Sequence, residues 1–333
     1  MNFDDTAHEL ESGELGTKFV DRKLDNQPLI FSYQRLGMHD RAKLVELCGT
    51  YTEWHFFTDG SPPRLSFANF CKDRLCRMCT WRRTRKIYGQ ISQIMDVLSA
   101  QGYRFVFCTL TVRNCAGSDL IRTLDDIQSA FNRFMQRAKV HRAFKGVFKA
   151  VEITRHPEYF RSIEWHPHLH LIIAVRESYF HGKDYINHDE LMQLWRECCR
   201  LDYDPSVEIH KVRAREMDDG EVSLKGAVLE VAKYTLKDAD YLRGTDQQID
   251  RAVDLLSTAL AGRRLCSFTG VFKEIARKLK LDDVTDGDLV YTDNEQLRRD
   301  VEYVVVTYEW MVGFGYRMTR VRQMTDEEKE KMK

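Results

Sequence analysis

Proline is scarce in this chain, with six in 333 residues, and glycine is sparse at 18. Extensive low-complexity linkers are therefore excluded. Net charge is lacking as well, because 51 Lys and Arg are balanced by 51 Asp and Glu. The whole-chain field thus gives no argument for nucleic acid. No uninterrupted apolar run is long enough to cross a bilayer. The opening "MNFDDTAHELESGELG" is acidic and polar, without the basic-then-apolar order of a secretory signal. The expectation is a cytoplasmic protein with no membrane partner. A hydrophobic fraction of 43% beside a charged fraction of 31% fits a soluble globular chain, long enough for two or three core-bearing units.

What the chain does have is cysteine, histidine and local charge. Nine cysteines in a reducing compartment point to metal ligands and buried thiols before disulfides. Cys71, Cys76 and Cys79 have the spacing C-x4-C-x2-C, and Cys48 lies upstream in "ELCGTYTEW". Four thiolates close a tetrahedral zinc site, with His55 as the weaker choice for the fourth ligand. Such a zinc is structural, since no position is left open for substrate. Scattered buried cysteines are the bland alternative. Residues 71–90 hold seven Lys or Arg against one acid, Asp73. Arg82, Arg83, Arg85 and Lys86 are candidate phosphate contacts, with Trp81 and Tyr88 available to stack on bases. A merely solvated basic helix face would read the same way.

Periodicity gives the element order. Residues 1–30 are mixed and read as mobile, and helical patterning surrounds the cysteines from 31 to about 98. "YRFVFCTLTV" (103–112), "GVFKAVEITR" (146–155), "WHPHLHLIIAV" (165–175) and "SVEIHKVRA" (206–214) read as strands. Helices are expected over 118–144, opened by a capping Ser118, over 187–201 and over 226–242. The link between the second and third strands is too short for a crossover helix, so those two should form an antiparallel hairpin. The plan is α+β, with a central antiparallel sheet flanked by helices. Its divisions are 1–98, a basic zinc-binding region; 99–245, the α+β domain; and 246–333, a helical extension of unassigned role.

In "HPHLHLIIAV" (166–175), His166, His168 and His170 share one strand face. Imidazoles at i and i+2 lie close enough to hold one ion. A strand whose polar face happens to be rich in histidine is the plainer reading. A third ligand is needed: Glu152, on the partner strand, comes first, with His166 and Glu164 as alternatives. In "AVLEVAKYTLKDADYL", Glu230 and Tyr234 share a helix face beside Lys233 and Lys237. A tyrosine with a free pKa of about 10 needs a nearby cation, or an electrophile polarised by metal, to act as a nucleophile. An ordinary amphipathic helix would carry the same pairs.

Together, "CKDRLCRMCTWRR", "FCTLTVRN", "EITRH…WHPHLHLIIAV" and "EVAKYTLKDADYL", in that order, resemble the plasmid rolling-circle replication initiators of the HUH endonuclease superfamily. The branch is the one with a Glu four residues before the nucleophilic Tyr. The resemblance runs from about Arg41 to Lys273. It implies that His168 and His170 bind Mn²⁺ or Mg²⁺, that Tyr234 attacks the DNA, and that Glu230 assists hydrolysis at termination. Lys237 is included in the catalytic group; Tyr241 is the alternative second nucleophile. The family's C-P-x-C stretch has Arg77 here in place of proline. Origin DNA with an exposed single-stranded nick region is the implied partner, and a host helicase and polymerase are implied by family alone. Conjugative relaxases generally place their tyrosine before the histidines, the reverse of the order here. The competing reading is a zinc-containing DNA-binding regulator with no catalytic role.

Overall fold

The structure is a computed structural model that describes residues 14–156, 164–212, 215–216, 222–223, 240–283, 287–292 and 301–330. The chain divides into two compact units, neither of them continuous in sequence. One comprises Met1–Lys86, Leu242–Ser257 and Asp288–Lys333, the other Ile87–Tyr241 and Thr258–Gly287.

The second unit is built on an antiparallel sheet in the order β10-β5-β6-β3-β7. The strands are β3 (Tyr103–Thr111), β5 (Gly146–His156), β6 (Glu164–Arg176), β7 (Val207–Lys211) and β10 (Cys266–Thr269). A two-residue strand β4 (Cys115–Ala116) also pairs with the start of β6, and β8 (Arg215–Glu216) pairs with β9 (Val222–Ser223) in a separate two-stranded sheet. The expected hairpin is present: β5 and β6 pair antiparallel, with Glu152 opposite His168 and Ala150 opposite His170. Central β6 is buried without interruption from Pro167 to Val175, as a strand covered on both faces should be.

Alternation sorts its side chains. Phe148, Ala150, Ile172 and Ala174 face the long helix α4 (Arg77–Ala100), which buries Ile87, Ile91, Ile94, Met95 and Leu98 against them. Glu152, His168 and His170 continue that row. On the opposite face, Lys149, Val151 and Leu169 meet Leu124, Ile127 and Gln128 of helix α5 (Leu120–Gln136). The helix expected over 118–144 is broken at Arg137, whose backbone is extended, before the short α6 (Ala138–Ala143). Arg133 Nε and Arg137 Nε bond Cys198 O and Sγ at 2.8 and 3.4 Å, on helix α7 (His188–Cys199). These tertiary bonds outweigh helical continuity. At the far edge, Gly270 (φ +52°) lets the backbone close on β5, since a Cβ there would meet Lys145 O at 2.2 Å.

The first unit pairs its strands in the order β12-β11-β1-β2. These are β1 (Tyr51–Phe57), β2 (Arg64–Ala68), β11 (Tyr303–Met311) and β12 (Gly315–Gln323). The region around the cysteines is thus not helical throughout: Tyr51-Thr-Glu-Trp-His-Phe-Phe is a strand, stabilised by β11 from the far end of the chain. Residues 14–30, expected to be mobile, lie in helices α1 (Glu14–Leu24) and α2 (Gln27–Arg35), with Phe19, Leu29 and Ile30 buried. Helix α3 (His39–Leu47) precedes Cys48. After residue 245, helical character holds for α8 (Asp246–Ala259) and, in the second unit, α9 (Gly270–Lys278), followed much later by the terminal turn α10 (Asp326–Glu330). The aromatic-rich stretch "VEYVVVTYEWMVGFGYRM" (301–318) supplies β11 and the start of β12. The helix expected over 226–242 lies outside the described residues except for Asp240–Leu242, a single 3₁₀ turn.

Candidate metal centres

Two groups of side chains could each hold a metal ion: Glu152 with His168 and His170, and Cys48 with Cys71, Cys76 and Cys79, the donor atoms of each lying within 4.8 Å of one another. In the first, Glu152 Oε2 stands 2.7 Å from Nε2 of both His168 and His170. All three residues are buried. Register explains the convergence, because Glu152 is the direct neighbour of His168 while the small Ala150 beside His170 leaves room for the carboxylate.

The outer nitrogens define the chemistry. His168 Nδ1 lies 3.1 Å from His166 O. A carbonyl only accepts, so Nδ1 carries the proton and a neutral ring presents a bare lone pair at Nε2. His170 Nδ1 lies 3.3 Å from Thr109 Oγ1 on β3. A lone pair 2.7 Å from a carboxylate oxygen is repulsive unless a cation or an added proton lies between them. Glu152 Oε1 is buried with no hydrogen-bond partner, a costly state that a bound cation would relieve. Burial pushes the Glu152 pKa up; with an added proton on each Nε2, hydrogen bonds from both histidines outweigh it and bring it to about 2. Burial pulls that of His170 down, against the pull of Glu152. An ionised carboxylate beside neutral imidazoles is a ligand set for a divalent ion. The orphaned oxygen and the lone-pair clash both fit such an ion.

The alternative third ligands stand apart from this group. Asn114 Nδ2 donates to Glu164 Oε2 at 3.1 Å, and Asn114 Oδ1 lies 2.8 Å from His166 Nδ1. That amide bridge holds His166 with its ring 5.0 Å from that of His168. Asn114 stands just past the end of its strand, where it could face a ligand, but its two partners lie 50 and 52 residues away and no local pattern links them.

In the cysteine group the Sγ separations are 3.5 Å (Cys48–Cys79), 3.6 Å (Cys76–Cys48) and 3.7 Å (Cys71–Cys79). Tetrahedral zinc with Zn–S of about 2.3 Å places its sulfurs about 3.8 Å apart, far beyond a disulfide's roughly 2.05 Å. The Cys71 and Lys72 amides donate to Cys48 Sγ and Cys79 Sγ at 3.4 and 3.2 Å, and Asn26 Nδ2 to Cys76 Sγ at 3.4 Å. The buried ammonium of Lys23 donates to Cys48 O at 2.9 Å and sets a positive charge beside the thiols. Amide donors and a nearby cation suit a cluster carrying excess negative charge. His55 is not part of it; its ring stacks on Tyr303 at 3.7 Å, and burial lowers its pKa to about 4.

Much of the basic run is engaged within its own unit. Arg82 is buried, with Nε and Nη2 donating to Leu289 O and Val290 O at 2.9 and 2.5 Å. Lys86, also buried, donates to Asp288 O at 2.7 Å. These two cations hold backbone carbonyls and are not presented to phosphate. Arg83 donates to Asp73 O at 3.1 Å and to Lys72 O, bracing the cysteine loop. Trp81 packs edge-on against Phe19 at 5.1 Å, while Arg85 is half-buried. Of the expected nucleophile group, Tyr234, Glu230 and Lys237 lie outside the described residues. Tyr241, the alternative second nucleophile, is buried.

The fold and these centres define an α+β protein with two candidate metal sites, one closed by four thiols and one of mixed carboxylate and imidazole. The chain belongs to the Rep_1 family of replication proteins, whose model matches residues 63–316. Among similar curated proteins is "Protein rep" of Streptococcus pneumoniae serotype 2 (strain D39 / NCTC 7466), 36% identical over 292 residues that cover 86% of this chain and 87% of that protein. "Protein rep" of a Bacillus sp. is 35% identical, covering 82% of this chain and 91% of the relative. "Protein rep" of Bacillus amyloliquefaciens is 38% identical, covering 77% and 78%. No solved structure matches the chain at a significant level. Among the described residues no helix is long and apolar enough to cross a membrane.

Proposed function

We propose that this replication protein initiates plasmid rolling-circle replication by nicking one strand of the double-stranded origin at an exposed single-stranded site. The observation that carries the reading is the buried Glu152–His168–His170 set, with its unpartnered carboxylate oxygen and both Nε2 atoms converging on the other. When bound there, Mn²⁺ or Mg²⁺ would polarise the scissile phosphodiester. Thr109 and the His166 carbonyl hold the rings so that Nε2 faces the site.

Tyr234 is the nucleophile in this reading. Its phenolic oxygen forms a bond to phosphorus, the bond to the 3′ oxygen breaks, and that oxygen leaves as a 3′-hydroxyl carrying one proton. The 5′-phosphotyrosyl ester keeps most of the phosphodiester's reactivity, so a later 3′-hydroxyl displaces the tyrosine and reseals DNA without ATP. Lys237, three residues on, lowers the cost of the phenolate. Glu230 accepts a proton from the water that cuts the regenerated junction, so one tyrosine completes the cycle. The endonuclease domain falls within 99–245, the cysteine group holds structural zinc, and a host helicase and polymerase extend the freed primer in the cytoplasm.

The test is a denaturing gel after incubation with a single-stranded oligonucleotide from the replicon's own origin and Mn²⁺. A protein–DNA adduct is expected, lost with EDTA and in Tyr234→Phe and His170→Ala. Glu230→Ala should form the adduct but release product poorly. An undiminished adduct in Tyr234→Phe would overturn the assignment. A protein that binds the origin and never cuts it would be the non-catalytic regulator.

A further inference from the structure

With Arg82 and Lys86 turned to backbone carbonyls, the basic helix is not the obvious route to DNA. The β11–β12 hairpin offers another. Residues 311–323, "MVGFGYRMTRVRQ", contain three arginines and no acid. Edge strand β12 is exposed along most of its length. Register places Arg317, Arg320 and Arg322 opposite Glu309, Thr307 and Val305, three positions of one face of the sheet. Arg322 is engaged by Glu328 at 2.8 Å. Arginines on an edge strand also discourage edge-to-edge pairing, but that role does not explain the tip.

At the tip, Met311 pairs with Gly315 and the Phe314 amide donates to Met311 O at 3.0 Å, which closes a tight turn. Gly313 and Gly315 adopt φ of +83° and +80°, a conformation that costs glycine little and other residues much. The turn thereby holds Val312 and Phe314 in solvent, 87% and 70% exposed. Burying neither in the fold while fixing the backbone between them is a poor arrangement for stability and a good one for contact. Apolar side chains projecting beside cations are the pattern by which proteins wedge open base steps while gripping phosphates; here the arginines lie on β12, and β11 sets Glu309 opposite Arg317. A second copy pairing antiparallel along β12 would bring arginine-bearing strands together, which like-charge repulsion disfavours.

We infer that the β11–β12 hairpin is a DNA wedge: Phe314 and Val312 stack against unpaired bases where a duplex opens, and Arg317 and Arg320 contact the adjoining phosphates. This rests on the replication reading, naming the surface by which the protein holds a partly opened duplex. It does not depend on the nicking chemistry.

The probes are a forked DNA, duplex at one end and unpaired at the other, and a blunt duplex of the same length, with affinity to the full chain read by fluorescence anisotropy. Wild type should prefer the fork. Phe314→Ser with Val312→Ser should lose about tenfold on the fork and little on the blunt duplex, as expected for lost stacking. Arg317→Gln with Arg320→Gln should weaken binding to both and flatten the dependence on salt. All four positions are exposed, and an unchanged thermal transition checks that the variants fold. Formation of the Mn²⁺-dependent adduct with a single-stranded oligonucleotide should survive in the tip variant; its absence from wild type would sink the nicking proposal and leave the wedge standing. Unaltered fork affinity in the tip variant overturns the wedge. So does a wild-type dimer that becomes monomeric in that variant with DNA binding intact, which would make the tip a contact between copies.

Discussion

Lys149 is 3% exposed in the middle of a central strand. Its ammonium reaches Gln128 Oε1 and lies 5.0 Å from the centroid of the Phe131 ring. Burial lowers its pKa from 10.5 to about 8, against a small raising influence of Cys266. Below pH 8 the folded protein therefore holds a desolvated charge that the unfolded chain hydrates. Between 8 and 10.5 the unfolded state binds more protons, so this residue's contribution to stability becomes less unfavourable as pH rises. The full penalty is on the order of 3 kcal/mol. Lys149→Met should thus stabilise the protein near neutral pH by about 1–3 kcal/mol. The difference in unfolding free energy between variant and wild type should shrink as pH rises from 8 to 10.5, as measured by denaturant titration. A constant difference would show that Lys149 is not titrating in that window.

Which residues were legible follows from how far each partner lies in sequence. His168 and His170 declare themselves because strand alternation is local, and the cysteines because three of four fall within nine residues. Glu152 followed from pairing two neighbouring strands. Lys23 and Asn26, which serve the cysteine group, come from helices before it. No local pattern marks them.

At the scale of elements, the candidate metal site depends on three adjacent strands in register. Thr109 of β3 is opposite His170 of β6, and its hydroxyl is the outer partner of the His170 ring. Thr109→Val keeps the shape and β-propensity of the strand but removes that partner. Loss of such an outer contact generally weakens a metal site 10–100-fold. Mn²⁺ affinity of Thr109→Val, read by calorimetry, should fall by about tenfold with the thermal transition of the metal-free protein little changed. Equal affinity in both proteins would mean that the strand β3 contact does not orient the ligand. The strands of this sheet were readable because each has its own alternation and short connections. Strand β1 has a local partner in β2, but its other neighbour, β11, lies some 250 residues away and no local pattern announces it. The basic helix has a related property: a run of arginines reads as a surface until its carbonyl partners, near residue 289, are placed.

For the molecule as a whole, the decisive feature is that the cysteine-bearing unit is assembled from three separated segments. Residues 246–333, read from sequence as an extension, include two of the four strands of its sheet. Val304, Val305, Val306 and Tyr308 of β11 are buried, and Tyr316 donates to Gly49 O at 2.6 Å beside Cys48. A chain ended after Gly287 would lose all of this. It would also remove the carbonyls of Asp288, Leu289 and Val290 that Arg82 and Lys86 hold. Loss of four buried apolar side chains, at about 1.5–3 kcal/mol each, removes on the order of 6–12 kcal/mol. That is comparable to the whole stability of a small unit, about 5–15 kcal/mol. The truncated protein should therefore hold well under one zinc per chain by elemental analysis and lose the thermal transition of this unit, although every cysteine is intact. Retention of one tightly held zinc with cooperative unfolding would show that the cysteine group folds without β11 and β12, and that the far end of the chain is an appendage after all.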